Sequence, residues 1–396
     1  MRYEIGNLPL TTLLPAIARA EDQIARLDEI VRRSPVRQGF TDRSHFIEAA
    51  ASMWIAGELV HIEDLVLHDA NRDVRTPTHE ITIAHSILRA RRRIEKADPD
   101  WATSRTGIVN LVGWSEGAAE RESVGRGTSP LPAELMLNEE DNGFAAELAE
   151  IDAVLDRSTR VLEAVVTVEG SKADPLMVGE LVVRDPGWDE EGRLSAWRAV
   201  LAQVDALPTT LAAAVIWDAW ESIEPLQRQH WLGTQLVNSY FRVRGKVSSH
   251  LFGICSGLKA VPRGRRRSHD RVSRVLAGLD AMASSAELAM KEVIRLGQAR
   301  EHLERKLKGK RSSSSLPRVV DLLIARPIVS SSMIVKELKV SHRAALDLVA
   351  ELGVREVTGR GSFRAWGVIL CEGSKRWSVR EVNELRRSGP RAFRCF

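Results

Sequence analysis

Four polar side chains lie close together near the C-terminus: Ser341, His342, Arg343 and Asp347. The apolar residues of the same segment recur at helical spacing, at Ala345, Leu348, Val349 and Leu352. The polar set therefore falls on the solvent side of a predicted helix, in its N-terminal half. Side chains of these types at that place can exchange hydrogen bonds with base edges in the major groove of DNA.

The elements around this helix predict a helix-turn-helix. Pro317 to Arg326 fits a first helix, which Pro327 stops. A second helix, MIVKELKV, can be capped by Ser331 or Ser332, and these two serines and Lys336 are further candidate DNA contacts. Ser341 caps the third, which ends at Gly353. Only a Val-Ser turn separates the second helix from the third, and that is helix-turn-helix spacing.

Two short strands are predicted after the third helix, over 354–358 and 363–368, and they would form a β-hairpin wing. Arg355, Arg360 and Arg364 would then meet phosphates or the adjacent minor groove. Taken singly, each arginine is an ordinary surface charge. As a set on this scaffold they favour DNA binding, with a winged helix used only for protein contacts as the alternative.

The distribution of charge agrees with this prediction. The net charge is +4, but it is −15 through Tyr240 and +19 from Phe241 onward. The stretch Arg242 to Arg311 carries 18 basic and 6 acidic residues and includes PRGRRRS. Such asymmetry indicates a nucleic-acid or membrane contact by the basic part. A solvated helix face followed by a linker is the alternative.

Helical periodicity dominates the rest of the chain, so we expect a mainly α protein. Amphipathic patterns cover 10–31, 46–67, 80–94, 144–168, 193–220 and 229–244. The expected domains are an N-terminal helical region (1–97), a flexible insertion (98–142), a helical core (143–283), a basic long helix with linker (284–311), a winged helix-turn-helix (312–370) and a basic tail (371–396).

Several classes of protein are not expected. The N-terminus lacks a signal-peptide pattern and no apolar run spans a bilayer, so we expect a cytoplasmic protein without a membrane partner. The cysteines, Cys255, Cys371 and Cys395, predict neither a disulfide framework nor a metal site. His61, His68, His79 and His85 match no metal-ligand spacing and are interpreted as structural. We expect no cofactor.

Four segments in the same order resemble the Fic/Doc family. Leu207 to Ile223 resembles the helix that enters the family's H-P-F-x-x-G-N-G-R loop, and Val243 to Leu258 resembles the helix and turn that follow that loop. Ser52 to Gly57, with the later Ile62 to Leu65, resembles the autoinhibitory helix. The C-terminal phrase ELGVREVTGRGSFRAW is similar to the winged helix that many members carry. The resemblance implies a Fic-like helical bundle.

The catalytic positions that the resemblance implies have changed. Glu224 stands for the base histidine, Arg228 for the metal-binding acid, and Leu232 for the arginine that clamps phosphates. Gln229, His230 and Trp231 stand in place of the family's glycine-flanked phosphate nest, and the indole of Trp231 blocks the approach of phosphate. Ala56 stands at the position of the family's inhibitory glutamate. We therefore expect no catalytic residues, with a divergent Fic-type nucleotidyl (AMP) transferase, regulated by its DNA-binding domain, as the alternative.

Together these patterns predict a bacterial DNA-binding protein built on a catalytically inactive Fic-like body. Its expected work is transcriptional regulation or maintenance of a mobile replicon such as a plasmid. Double-stranded DNA is the expected partner. A homodimer through the helical body is a further expectation, because paired half-sites raise affinity. A protein partner of the acidic body is another.

Overall fold

The computed structural model describes residues 3, 5–6, 8–73, 76–113, 187–307, 315–357 and 364–368. These residues are mainly helical and include one short two-stranded antiparallel sheet, so the predicted fold class is confirmed. The first helices are α1 (Leu10–Arg33), α2 (Arg37–Ala56), α3 (Ile62–Asp69), α4 (His79–Lys96) and α5 (105–113), with a 3-10 turn at Trp101–Thr103.

Six more helices complete what we call the helical body, which ends at residue 307: α6 (Glu190–Gln203), α7 (Thr209–Ile223), α8 (Leu232–Val243), α9 (Cys255–Ala260), α10 (Arg263–Arg266) and α11 (Arg271–Leu307). The winged module, residues 315–368, contains α12 (Leu316–Ala325), β1 (Val329–Ser330), α13 (Ser331–Leu338), α14 (His342–Leu352) and β2 (Ala365–Trp366).

Helix α7 lies in the middle of the body. From Leu211 to Ala219 no residue is more than 4% exposed. A helix that is apolar on every side belongs in a core. Its buried Asp218 is paired with Arg274, as a buried charge requires. Trp197 of α6 and Trp217 and Trp220 of α7 are buried as well.

Helix α11 is the longest described helix, with 37 residues and a length of about 55 Å. It packs against α1, α7 and α9 in the body and against α12 in the winged module. Val293, Leu296 and Leu303 of this helix are buried. The helix therefore links the core of the body to the module.

Two predicted helices are each divided in the structure. The pattern over 46–67 is not one helix, because Gly57 takes a left-handed conformation with φ of 99° and ends α2. The pattern over 193–220 is divided between α6 and α7, with Pro208 immediately before α7. Apolar residues keep a helical spacing across both breaks, and the sequence pattern therefore did not show where the helices end.

Residues 101–113, the beginning of the predicted insertion, form the 3-10 turn and α5. Ala102, Ile108 and Leu111 in this segment are buried. The rest of that insertion, the predicted helix over 144–168, and the tail lie outside the described residues. Within the described part of the chain, every helix is too short or too polar to span a bilayer.

Candidate nucleic-acid interface

Helix α14 begins and ends where the sequence predicted. The Ser341 hydroxyl oxygen accepts a hydrogen bond from the Ala344 amide at 3.2 Å, which is an N-cap. Gly353 closes the helix in a left-handed conformation with φ of 57°. Both boundaries follow from local side-chain chemistry.

The two faces of α14 also agree with the pattern of residues. Ala345, Val349 and Leu352 are buried, and Leu348 is half-buried. The polar set is exposed: Ser341, His342, Arg343 and Asp347. Arg343 makes no hydrogen bond or ion pair with the described residues. Its guanidinium is therefore available to an external acceptor.

Helix α13 starts at Ser331, one or two residues earlier than predicted. Its N-cap is Ser330, whose hydroxyl accepts from the Met333 amide at 3.3 Å, so the expected cap at Ser331 or Ser332 is wrong. Ser330 ends β1 with ψ of 160°, the extended backbone that an N-cap needs. Ser331 and Ser332 are half-buried, and Ser332 bonds to the Ser330 hydroxyl; Lys336 is exposed.

The wing is a hairpin with an additional strand. The Val357 amide donates to the Ala365 carbonyl at 2.8 Å, and the Gly367 amide donates to the Arg355 carbonyl at 3.3 Å. β2 also pairs with β1, a strand that the sequence interpretation missed. Among the described residues, β2 covers Ala365–Trp366 of the second predicted strand, and Glu356 of the first forms a single bridge with Trp366. Residues 358–363, with Arg360, lie outside the described residues.

The two described wing arginines differ in their surroundings. Arg355 is exposed. Arg364 forms an ion pair with Glu356 at 2.8 Å and lies 5.5 Å from the centre of the Trp366 ring. Arg364 is thus already neutralised by a neighbour, and a phosphate would have to compete with that carboxylate.

Arg43 of α2 connects the winged module to the body. It is 5% exposed, and its guanidinium donates to four carbonyls at the end of α12: those of Leu323, Ile324, Arg326 and Pro327, at 3.0 to 3.4 Å. The last carbonyls of a helix have no partner within it, and a cation there is favoured by the helix dipole. Burial lowers the pKa of Arg43 to about 10, so it stays charged at neutral pH.

Three basic side chains of α11 also reach the module. Arg295 donates to the Val368 carbonyl at 2.7 Å, Arg300 lies 3.2 Å from Asp321, and Lys306 donates to the Leu352 carbonyl at 2.6 Å. Lys306 therefore binds the C-terminal end of α14. The body holds that end of the helix, while the N-terminal half with Arg343 faces solvent.

The loop between α7 and α8 brings the altered catalytic positions together. Glu224 has φ of 47°, His230 is exposed, Arg228 and Trp231 are half-buried, and Leu232 is fully buried. The Trp220 indole donates to the His230 carbonyl at 3.1 Å. Gly233 is packed against that indole, because a Cβ there would lie 2.3 Å from Trp220 Cδ1. This glycine serves ring packing.

A cavity of about 640 Å³ lies beside this loop. Glu224, His230 and Trp231 line it from the loop, and residues of α2 line it from the other side, Ser52 and Ala56 among them. The 224–232 loop and the segment Ser52 to Gly57 both belong to the Fic/Doc resemblance. They are far apart in the chain, and residues of both line this one cavity.

Comparison with known proteins gives two domain matches and a full-length relative. Residues 182–308 match the family described as "Protein of unknown function (DUF1612)", and residues 316–369 match "HTH DNA binding domain". A relative from Sinorhizobium fredii, "Uncharacterized protein y4cF", is 44% identical over 391 residues, covering 93% of this chain and all of the relative. The second match coincides with the winged module.

Proposed function

Because this chain belongs to the DUF1612 family and joins that segment to an HTH DNA binding domain, we propose that it is a cytoplasmic, sequence-specific regulator of transcription or of mobile-replicon maintenance. The observation that carries the proposal is the exposed N-terminal half of α14. Arg343 lies in the first turn of this helix and makes no hydrogen bond or ion pair with the described residues. In helix-turn-helix proteins this is the part of the molecule that contacts base edges.

The side chains of this surface divide into base-reading and phosphate-binding groups. Arg343 can bind guanine O6 and N7 with two hydrogen bonds, while Asp347 can accept from cytosine N4. Lys336 and Arg355 are exposed basic groups beside α14 in the chain and supply phosphate contacts, which position the helix without reading sequence.

The fixed attachment of the module gives the body a role in regulation. Arg43, Arg295 and Lys306 bind three separate places on the module. A body that dimerises would therefore set the distance between two copies of α14, and with it the spacing of DNA half-sites. A partner that binds the acidic body would act on DNA binding through the same contacts.

We further propose that the body is Fic-like and catalytically inactive. Leu232, at the position of the phosphate-clamping arginine, is fully buried and apolar. The Trp220 ring fills the space beside Gly233, and Trp231 stands in the place of a nest residue. Phosphoryl-type transfer depends on positioned charge, which these groups do not supply.

The DNA-binding proposal is tested with the full chain in mobility-shift titrations at several salt concentrations. We expect affinity to fall steeply with salt, and Arg343→Ala to lower affinity for the preferred site by about 5- to 150-fold. The control is Arg198→Ala, an exposed arginine of α6, which should bind like the wild type. Equal binding by all three proteins, or none by the wild type, would refute the proposal.

The inactive-body proposal is tested by incubating the purified chain and a bacterial lysate with labelled ATP or another nucleotide and magnesium. We expect no labelled protein. Labelling that is lost in Glu224→Ala would establish a rearranged nucleotidyltransferase site and overturn the proposal.

A further inference from the structure

A second cavity, of about 260 Å³, lies inside the body between α1, α2, α4, α11 and the segment 250–256. Its walls are mainly apolar: Leu27, Phe40, Ile47, Phe252, Leu288 and Ala289. A concave, mostly apolar cavity with a few polar groups is the usual form of a small-molecule site. It is separate from the cavity beside the 224–232 loop.

The charged groups at this cavity are already engaged by the protein. The Glu48 carboxylate accepts from the amides of Cys255 at 2.7 Å and Ser256 at 3.3 Å. The terminal nitrogens of Arg91 donate to the carbonyls of Leu251 and Phe252 at 3.2 to 3.3 Å. A charged ligand would lose its hydration here and would have to compete with these protein partners.

His250 adds an aromatic and uncharged surface. Its ring meets that of Phe40 edge to face, with 5.4 Å between the centres, and its Nδ1 lies 2.8 Å from the Ser249 hydroxyl. Burial lowers the pKa of His250 to about 4, and the imidazole is therefore neutral at pH 7. The cavity thus favours an apolar molecule over an anion.

The cavity has an apolar rim and a size that limits the ligand. Leu288, which lines it, is 45% exposed, so apolar surface continues from the interior to solvent. An engineered apolar cavity of about 150 Å³ accepts benzene. The larger volume here accommodates a molecule of one or two rings.

Glu292 connects the cavity to the winged module. It lines the cavity, and its carboxylate lies 3.3 Å from Arg43 Nε and 2.7 Å from Arg295 Nε. Arg43 binds the end of α12, and Arg295 binds the Val368 carbonyl in the module. A ligand that displaces Glu292 would alter both contacts.

We propose that this cavity binds a small, uncharged, mainly apolar molecule of one or two rings, and that its occupancy changes DNA affinity through Glu292. The ligand-binding part stands independently of DNA. The coupling part rests on the proposed function.

Binding is tested by calorimetric titration of the full chain with indole and with naphthalene. We expect saturable binding, at least tenfold weaker binding of the anion indole-3-acetate, and at least tenfold loss of indole affinity in Ala289→Leu, which fills the cavity. Gln298→Leu, on an exposed position of the same helix, should bind like the wild type. Leu288→Ala should also weaken indole binding, and it spares the core because Leu288 is 45% exposed at the rim.

No saturable binding of either probe, or equal binding by wild type, Ala289→Leu and Leu288→Ala, would overturn the site.

Coupling is then tested by measuring DNA affinity with and without saturating indole, where we expect at least a threefold change. Arg295→Gln, outside the cavity lining, should keep indole affinity and lose that change. Indole binding without any effect on measurable DNA affinity would overturn the coupling. Indole binding by a chain that binds no DNA would refute the proposed function and leave the ligand site standing.

Discussion

Asp69 of the body and Arg326 of the winged module form an ion pair with 2.6 Å between Oδ2 and Nη1. The same carboxylate pairs with Arg92 at 2.6 Å and lies 3.4 Å from His85 Nε2. Both guanidinium groups lie 5.1 Å from the centre of the Phe46 ring. A single carboxylate thus joins two parts of the chain that are 257 residues apart.

Replacing Asp69 should weaken this contact. Burial alone would raise the pKa of Asp69, but hydrogen bonds from His85, Arg92 and Arg326 and the charge of Arg92 outweigh it and hold the pKa well below its usual range. We expect Asp69→Asn to lower the free energy of unfolding by about 2 kcal/mol at pH 7. Urea titration measures this change.

The stabilisation that Asp69 provides should depend on pH. Because the folded-state pKa is depressed, the stabilisation is complete above the unfolded value of about 4 and is lost as the pH falls below it. The difference between wild type and Asp69→Asn should therefore shrink in acid. Asp22→Asn, which breaks an exposed pair with Arg26, should cost less than about 1 kcal/mol. Equal costs for the two variants would contradict the prediction.

Gly39 marks a close approach of α2 to the winged module. A Cβ at this position would lie 2.4 Å from Ile324 Cγ2. Gly39→Ala should therefore force α2 and α12 apart and destabilise the protein by about 1–3 kcal/mol, as overpacking does. Gly264→Ala is the matched control, because nothing lies within 4 Å of a Cβ there. Thermal unfolding of both variants checks the prediction, and an unchanged Gly39→Ala protein would refute the contact.

Buried His250 should make the protein less stable in mild acid. Its pKa is lowered to about 4 by burial, with opposing effects of Asp28 and Glu95 and reinforcing ones of Arg91 and His45. The unfolded imidazole takes up a proton near pH 6.5. Between these values the unfolded state binds the extra proton, so stability falls from pH 6.5 towards pH 4, by about 3 kcal/mol at most.

His250→Phe should reduce this slope, because the phenyl ring keeps the contact with Phe40 and cannot be protonated. His302→Gln, at an exposed position of α11, should leave the slope unchanged. Urea unfolding at intervals between pH 4 and 7 measures both. A wild-type slope that persists in His250→Phe would assign it to other groups.

Local chemistry made much of the winged module predictable. Ser341 and Gly353 mark the ends of α14 by rules that need only neighbouring residues. Three consecutive serines left the cap of α13 ambiguous, because Ser330, Ser331 and Ser332 offer the same hydroxyl and only the backbone of β1 selects the first.

Contacts between distant segments could not be predicted in the same way. Arg43 donates to backbone carbonyls about 280 residues later in the chain. Every residue has a backbone carbonyl, so the sequence does not show which ones accept. Asp69 directly follows His68 in the sequence, and its pairing with Arg326 depends on how α2, α3 and α12 pack. The same holds for the ion pair between Glu292 of α11 and Arg43 of α2, which lie far apart in the chain.

The most direct test of DNA reading by α14 is selection of binding sites from random double-stranded DNA by the full chain, in parallel with Arg343→Ala. We expect the wild type to enrich one motif, and Arg343→Ala to lose preference at a guanine position of that motif while keeping salt-sensitive binding to DNA. An identical motif from both proteins, or no enrichment by the wild type, would contradict the assignment of α14 as the recognition helix.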